Sequence, residues 1–137
     1  MTKLLLLSHS QLSQAIYETV KLIMGKPDDS IAYLTLPYGQ DLQEYQSSIE
    51  EHVKSAKDDG IMILTDLFGG SPFMISVKVF NQYRDTVPME IICGMNLPMV
   101  VELANAISQN KTLPELKQIA TQAGVEGIVD FRAKLNA

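Results

Sequence analysis

Hydrophobic and polar positions along this chain fall into two alternating periods. Short unbroken apolar runs read as strands, and apolar residues spaced by three and four read as helices. Leu4 to Leu7 is apolar on both sides, as a central parallel strand should be. A helical stripe follows: Leu12, Ala15, Ile16, Thr19, Val20 and Ile23. Gly25 and Pro27 stop it. Ile31 to Leu36 predicts a second strand, closed by Pro37-Tyr38-Gly39. Asp41 and Glu44 open a second helix in the manner of a capping box. Its stripe is Leu42, Tyr45, Ile49, Val53 and Ala56, with His52 as a boundary residue at its edge. Gly60 precedes a third strand, Ile61 to Asp66. Ser71 as N-cap and Pro72 in the first turn predict a third helix through about Tyr83.

Met89 to Cys93 predicts a fourth strand. Asn96 and Pro98 then cap and start a helix carrying Val100, Val101, Leu103, Ala104 and Ile107. Thr112 and Glu115 open the last helix, with Leu116, Ile119 and Ala120 on one face and Gly124 as its end. Gly127 to Phe131 alternates in part and reads as a short edge strand. The order β-α-β-α-β-α-β-α-α-β predicts an α/β fold. The sheet is mainly parallel and doubly wound, with helices on both faces, and the whole of residues 1–137 forms one domain.

Composition narrows the class. The chain has 137 residues, 46% of them apolar and 20% charged, as in ordinary globular proteins. A net charge of −5 argues against nucleic acid, which demands a basic footprint. The lone cysteine, Cys93, lies in an apolar run and reads as a small buried hydrophobe. It permits no disulfide within the chain, which suits the cytosol. The apolar run at the N-terminus is too short for a signal peptide, and no run approaches the roughly 20 apolar residues of a membrane span. The expectation is a cytoplasmic protein that does not insert into membranes.

Three predicted strands end in unusual residues: His9, Asp66 and Asn96. In a sheet of order 2-1-3-4, strands one and three are neighbours and the switch point lies between them, where ligands bind in open α/β sheets. His9 and Asp66 would face each other there. Asp66 would accept the Nδ1 proton of His9, fixing the tautomer and leaving Nε2 as a nucleophile. Gly69 and Gly70 let backbone amides approach an anion, and Ser71 adds a hydroxyl at a helix N-terminus. Each feature has a plainer reading: a loop histidine, a strand-end acid, a turn followed by a helix start. There is no P-loop and no GxGxxG, and no Lys or Arg lies in the three loops. A phosphoryl group at His9 would be held by neutral donors, as fits a site that both receives the group and releases it.

With these motifs the chain resembles the IIA components of the mannose family of the bacterial phosphoenolpyruvate-dependent sugar phosphotransferase system. The resemblance rests on Leu7-Ser8-His9-Ser10, on Thr65-Asp66-Leu67-Phe68-Gly69-Gly70-Ser71-Pro72-Phe73, and on Gly94-Met95-Asn96-Leu97-Pro98-Met99. It implies that His9 accepts a phosphoryl group from the phosphohistidine of the histidine phosphocarrier protein. His9 would pass it to a IIB component, a separate polypeptide, which serves membrane IIC and IID subunits. Asp66 would orient His9. Ser71 would lie against the phosphoryl group, and Ser10, Gly69 and Gly70 would help bind it. No metal or soluble cofactor is called for. The family is a homodimer whose C-terminal strand packs on the partner's sheet, here the segment Gly127 to Phe131. The departure is Ser10, where many members carry glycine.

Other readings remain at this stage. The phosphocarrier of the dihydroxyacetone kinase system shares the fold and the strand-one histidine, but lacks the Gly-Gly-Ser-Pro-Phe match. A hydrolase using Ser71, His9 and Asp66 would lack the GxSxG elbow, and capping would occupy Ser71. A regulatory module, with His9 phosphorylated as a signal, is compatible with transport.

Overall fold

The computed structural model describes residues 1–25 and 29–136. Its elements in chain order are β1 (Lys3–His9), α1 (Leu12–Met24), β2 (Ile31–Leu36), α2 (Leu42–Ser55), β3 (Ile61–Thr65), α3 (Ser71–Tyr83), β4 (Met89–Cys93), α4 (Leu97–Ile107), α5 (Leu113–Glu126) and α6 (Phe131–Leu135). The sheet has the order β2-β1-β3-β4, and all its pairings are parallel. The expected α/β architecture and strand order are therefore present.

β1 is central because it is apolar on both faces. Leu4, Leu5, Leu6 and Leu7 are all 0% exposed. Leu4 and Leu6 join Met62, Leu64 and the residues of α1, α4 and α5 in one core. Leu5 and Leu7 join Ile61, Ile63 and the residues of α2 and α3 in the other. The chain moves from β1 to β2 in one direction, then crosses back to β3. Right-handed crossovers therefore place α1 on one face and α2 and α3 on the opposite one. That reversal opens the crevice between the carboxyl ends of β1 and β3.

Several boundaries differ from the sequence pattern, each for a local reason. The buried face of α1 is Ser13, Ile16 and Val20, while Leu12 and Ile23 are exposed. Ser13 turns inward because its amide donates to Ser8 Oγ at 2.6 Å and its hydroxyl donates to the Leu34 carbonyl at 2.8 Å. Gly25 ends α1 at φ +84°, as expected; Pro27 lies outside the described residues. Asp41 caps α2 by accepting from the Gln43 amide. Thr112 caps α5, accepting from the Glu115 amide and donating to the Glu115 carboxylate.

Gly124 does not end α5, which runs to Glu126 with Gly127 as its cap. A Cβ on Gly124 would stand 2.7 Å from Met99 Cε, so this glycine serves the close approach of α5 to α4. The expected strand over Gly127 to Phe131 is absent from the sheet. The segment is exposed, and Asp130 instead caps the short helix α6 by accepting from the Ala133 amide. Ile128, Val129 and Phe131 stay exposed, and their partial alternation forms no ladder with β4. Cys93, at the end of edge strand β4, is only partly buried.

Candidate functional site

β1 extends to His9, whose Cα pairs with Leu36 of β2. Asp66 follows directly on β3. The two side chains meet across the switch point, with His9 Nδ1 2.8 Å from Asp66 Oδ2. The same oxygen accepts the His9 backbone amide at 2.9 Å. One carboxylate oxygen thus holds both the strand end and the ring. An ionised carboxylate only accepts, so the Nδ1 position carries the proton and Nε2 presents a lone pair. His9 is 46% exposed and Asp66 only 12%, so the ring is half open to solvent and the carboxylate that holds it lies beneath.

The ring rests on Gly70. A Cβ there would fall 2.5 Å from His9 Cε1 and 3.1 Å from Nε2, so only a glycine admits the imidazole in this position. Gly69 makes the turn that brings Gly70 there. Its φ is +85°, and the Gly70 amide donates to the Leu67 carbonyl at 3.2 Å. Gly70, in extended conformation, is the N-cap of α3, and Ser71 is the first residue of the helix. The expected Ser71 cap is thereby corrected: a glycine turn delivers the chain already extended at residue 70. The Ser71 hydroxyl makes no hydrogen bond among the described residues, so capping does not occupy it.

Ser10 adopts φ +52°, the left-handed region where glycine is favoured. It forms an isolated antiparallel bridge with Leu36. Its amide donates to the Leu36 carbonyl at 2.9 Å. The amides of Ser10 and Gly70 are therefore both engaged within the fold. The open donors beside the ring are those of the α3 N-terminus, which has no side-chain cap. Asn96, the third strand-end residue, is used structurally. Its Oδ1 accepts the Met99 amide and its Nδ2 donates to the Gly124 carbonyl, tying α4 to α5. Sequence reasoning missed Ser8, which is 0% exposed and whose Oγ accepts the Ser13 amide in the first turn of α1. Its buried position on β1 was the available signal.

No group of three or more His, Cys, Asp or Glu side chains is arranged to hold a metal ion among the described residues. Exposed apolar residues crowd the same edge of the sheet. Leu12, Tyr38, Leu67 and Phe68 are 47%, 107%, 60% and 77% exposed, and Phe68 packs on Phe73. An open groove of about 670 Å³ lies elsewhere, lined by Ile23 of α1, Leu97 and Val101 of α4, and Ile119 and Ala123 of α5.

Fold and site together define an open α/β protein that presents a carboxylate-held, half-exposed imidazole at its switch point. The family model described as the phosphotransferase-system fructose IIA component matches residues 3–121. The chain belongs to this family, the mannose-type IIA components of the phosphotransferase system. It is 27% identical over 121 residues to the sorbose-specific EIIA component of Lacticaseibacillus casei, covering 85% of this chain and 84% of that one. It is 24% identical over 131 residues to the mannose-specific EIIAB component of Escherichia coli K12, covering 93% of this chain and 38% of that relative. The structure of a phosphotransferase-system EIIA from Streptococcus agalactiae superposes with a TM-score of 0.88 at 26% identity, over 97% of this chain and 99% of the other. The mannose/sorbose IIA subunit of Enterococcus faecalis gives 0.81 at 25% identity, over 94% and 93%. No helix among the described residues is long and apolar enough to cross a membrane.

Proposed function

We propose that this chain is a phosphoryl carrier of a sugar phosphotransferase system, and that His9 Nε2 carries the group. The observation that carries the reading is the His9 geometry. Nδ1 is committed to Asp66 at 2.8 Å, while Nε2 lies beside Gly70 and makes no hydrogen bond among the described residues. The donor is the phosphohistidine of the histidine phosphocarrier protein, and the acceptor is a histidine of a IIB component. IIB in turn serves the membrane IIC and IID subunits, and the carrier acts in the cytoplasm.

In each transfer the Nε2–P bond forms as the donor's N–P bond breaks, and the reverse occurs when the group leaves. The transition state is loose and spreads charge over the phosphoryl oxygens, so positioning and electrostatics supply most of the catalysis. Asp66 stabilises the positive charge that develops on the ring. The Ser71 hydroxyl and the uncapped amides at the start of α3 receive the oxygens; Ser10, Gly69 and Gly70 shape the backbone around them. The exposed Tyr38, Leu67 and Phe68 support docking of protein partners on this edge. No metal or soluble cofactor enters the step.

We also read the functional unit as a homodimer. Val125, Ile128, Val129 and Phe131 are 72%, 80%, 55% and 72% exposed, and the open edge of β4 lies on the sheet they would meet in a partner. The decisive experiment is labelling with radioactive phosphoenolpyruvate and the two general carrier proteins. Wild type is expected to take up acid-labile label, His9→Ala none, and Asp66→Asn label more slowly. Acid-labile label retained on His9→Ala would overturn the assignment.

A further inference from the structure

Behind the His9–Asp66 pair lie three buried polar atoms with no hydrogen-bond partner among the described residues: the Tyr45 hydroxyl, Thr65 Oγ1 and Asp66 Oδ1. Their placement is connected. Tyr45, early in α2, is 1% exposed and packs in the core of Leu5, Leu7, Ile61, Ile63 and Ile75. Thr65 closes β3 and is 0% exposed. Alternation from Ile61 and Ile63 turns its side chain to that same face of the sheet. Asp66 is the next residue. Its negative charge reaches Tyr45: burial first, and then Asp66, push the phenol well above its usual range. Tyr45 therefore stays a neutral hydroxyl, able to donate, at any physiological pH.

Asp66 Oδ2 accepts both the His9 amide and the His9 ring. Those two bonds oppose rotation of the carboxylate about its Cβ–Cγ bond. A partner for Oδ1 would hold it more firmly, and so keep Oδ2 against the ring. Buried polar groups are almost always paired, and a buried water with about three partners is the usual solution where protein groups do not reach one another. We propose that the hydroxyls of Tyr45 and Thr65 hold one internal water against Asp66 Oδ1, which makes Tyr45 a positioning residue for the His9 imidazole. This deepens the carrier reading and rests on it for the effect on transfer. The orientation of the ring does not depend on that reading.

Tyr45→Phe keeps the ring and removes the hydroxyl; Thr65→Val does the same for the threonine. The imidazole 15N shifts of His9 in the unphosphorylated protein, at a pH where the ring is neutral, report its tautomer. Wild type is expected to show the Nδ1–H form alone, and both variants a mixture. Phosphoryl acceptance by Tyr45→Phe should slow by up to about tenfold, the upper weight of one lost hydrogen bond between neutral partners, with KM for the donor unchanged. In an Asp66→Asn background, Tyr45→Phe should leave the tautomer as it finds it. A His9 tautomer unchanged in both single variants overturns the proposal, including where only Tm falls. If Tyr45→Phe does not fold by circular dichroism, Thr65→Val alone decides. A tautomer shift in a protein that takes no phosphoryl group supports the positioning role and overturns the carrier reading instead.

Discussion

Gly70 and Ser10 show how single backbone positions shape this site. Gly70 has φ −76°, which any residue tolerates, so its requirement for glycine comes entirely from the imidazole lying on it. Gly70→Ala should therefore fold normally yet push the ring off Asp66. Misplacement on the scale of 1 Å costs on the order of 100-fold in rate, and a loss of that size in the phosphorylation rate, with unchanged thermal stability, is the expected result. Ser10 is the opposite case, at φ +52° with a side chain. The left-handed conformation costs roughly 1–2 kcal/mol for a non-glycine residue, and glycine returns about 0.5–1 kcal/mol of that as lost chain entropy. Ser10→Gly should raise stability by up to about 1 kcal/mol in urea unfolding. The sequence marked position 10 only as a departure from the family it resembles; the backbone angle makes glycine the favoured residue there.

Among the elements, α2 buries its sequence stripe except for Leu42, which is exposed, whereas α1 buries only Ile16 and Val20 of its own, and the difference is physical. Tyr45, Ile49 and Val53 bury themselves without help. The face of α1 is turned by two buried serines, Ser8 and Ser13, whose hydrogen bonds no hydrophobic periodicity records. His52, in the last turn of α2, makes an element-scale prediction. Burial chiefly, then the charge of Lys3, lowers its pKa below 6.5, with Glu51 opposing. The unfolded chain then binds the proton more readily, so stability is full above about pH 6.5 and falls as pH drops toward the lowered folded value. His52→Gln should flatten that part of the pH–stability curve, as read by thermal melts across the range.

For the whole molecule, the distribution of exposed apolar surface carries the most information. One set rims the carboxyl edge beside His9, and a second runs along the C-terminal segment. A chain with net charge −5 repels its own copies over long distances, so association has to come from contacts of that second kind. Under the homodimer reading, Ile128→Asp places a charge in the centre of the contact. Sedimentation at micromolar concentration should show wild type as a dimer and the variant as a monomer. Two monomeric or two dimeric species would argue against this segment as the contact.

The sequence by itself determined the class of fold and set His9 and Asp66 at the ends of strands one and three; their pairing followed only under the order 2-1-3-4, which the structure shows. Apolar runs, helix caps and strand-end polar residues are local signals, and right-handed crossovers narrow the topologies without choosing one order. Only the tertiary structure decided how α1 is rotated, why Gly124 lies inside a helix, and why Ser71 begins α3 instead of capping it. It also showed that the amides of Ser10 and Gly70 are committed within the fold, and that Tyr45 and Thr65 stand buried behind Asp66. Those outcomes depend on contacts between residues far apart in the chain, where van der Waals clearance and hydrogen-bond partners, not periodicity, set the arrangement.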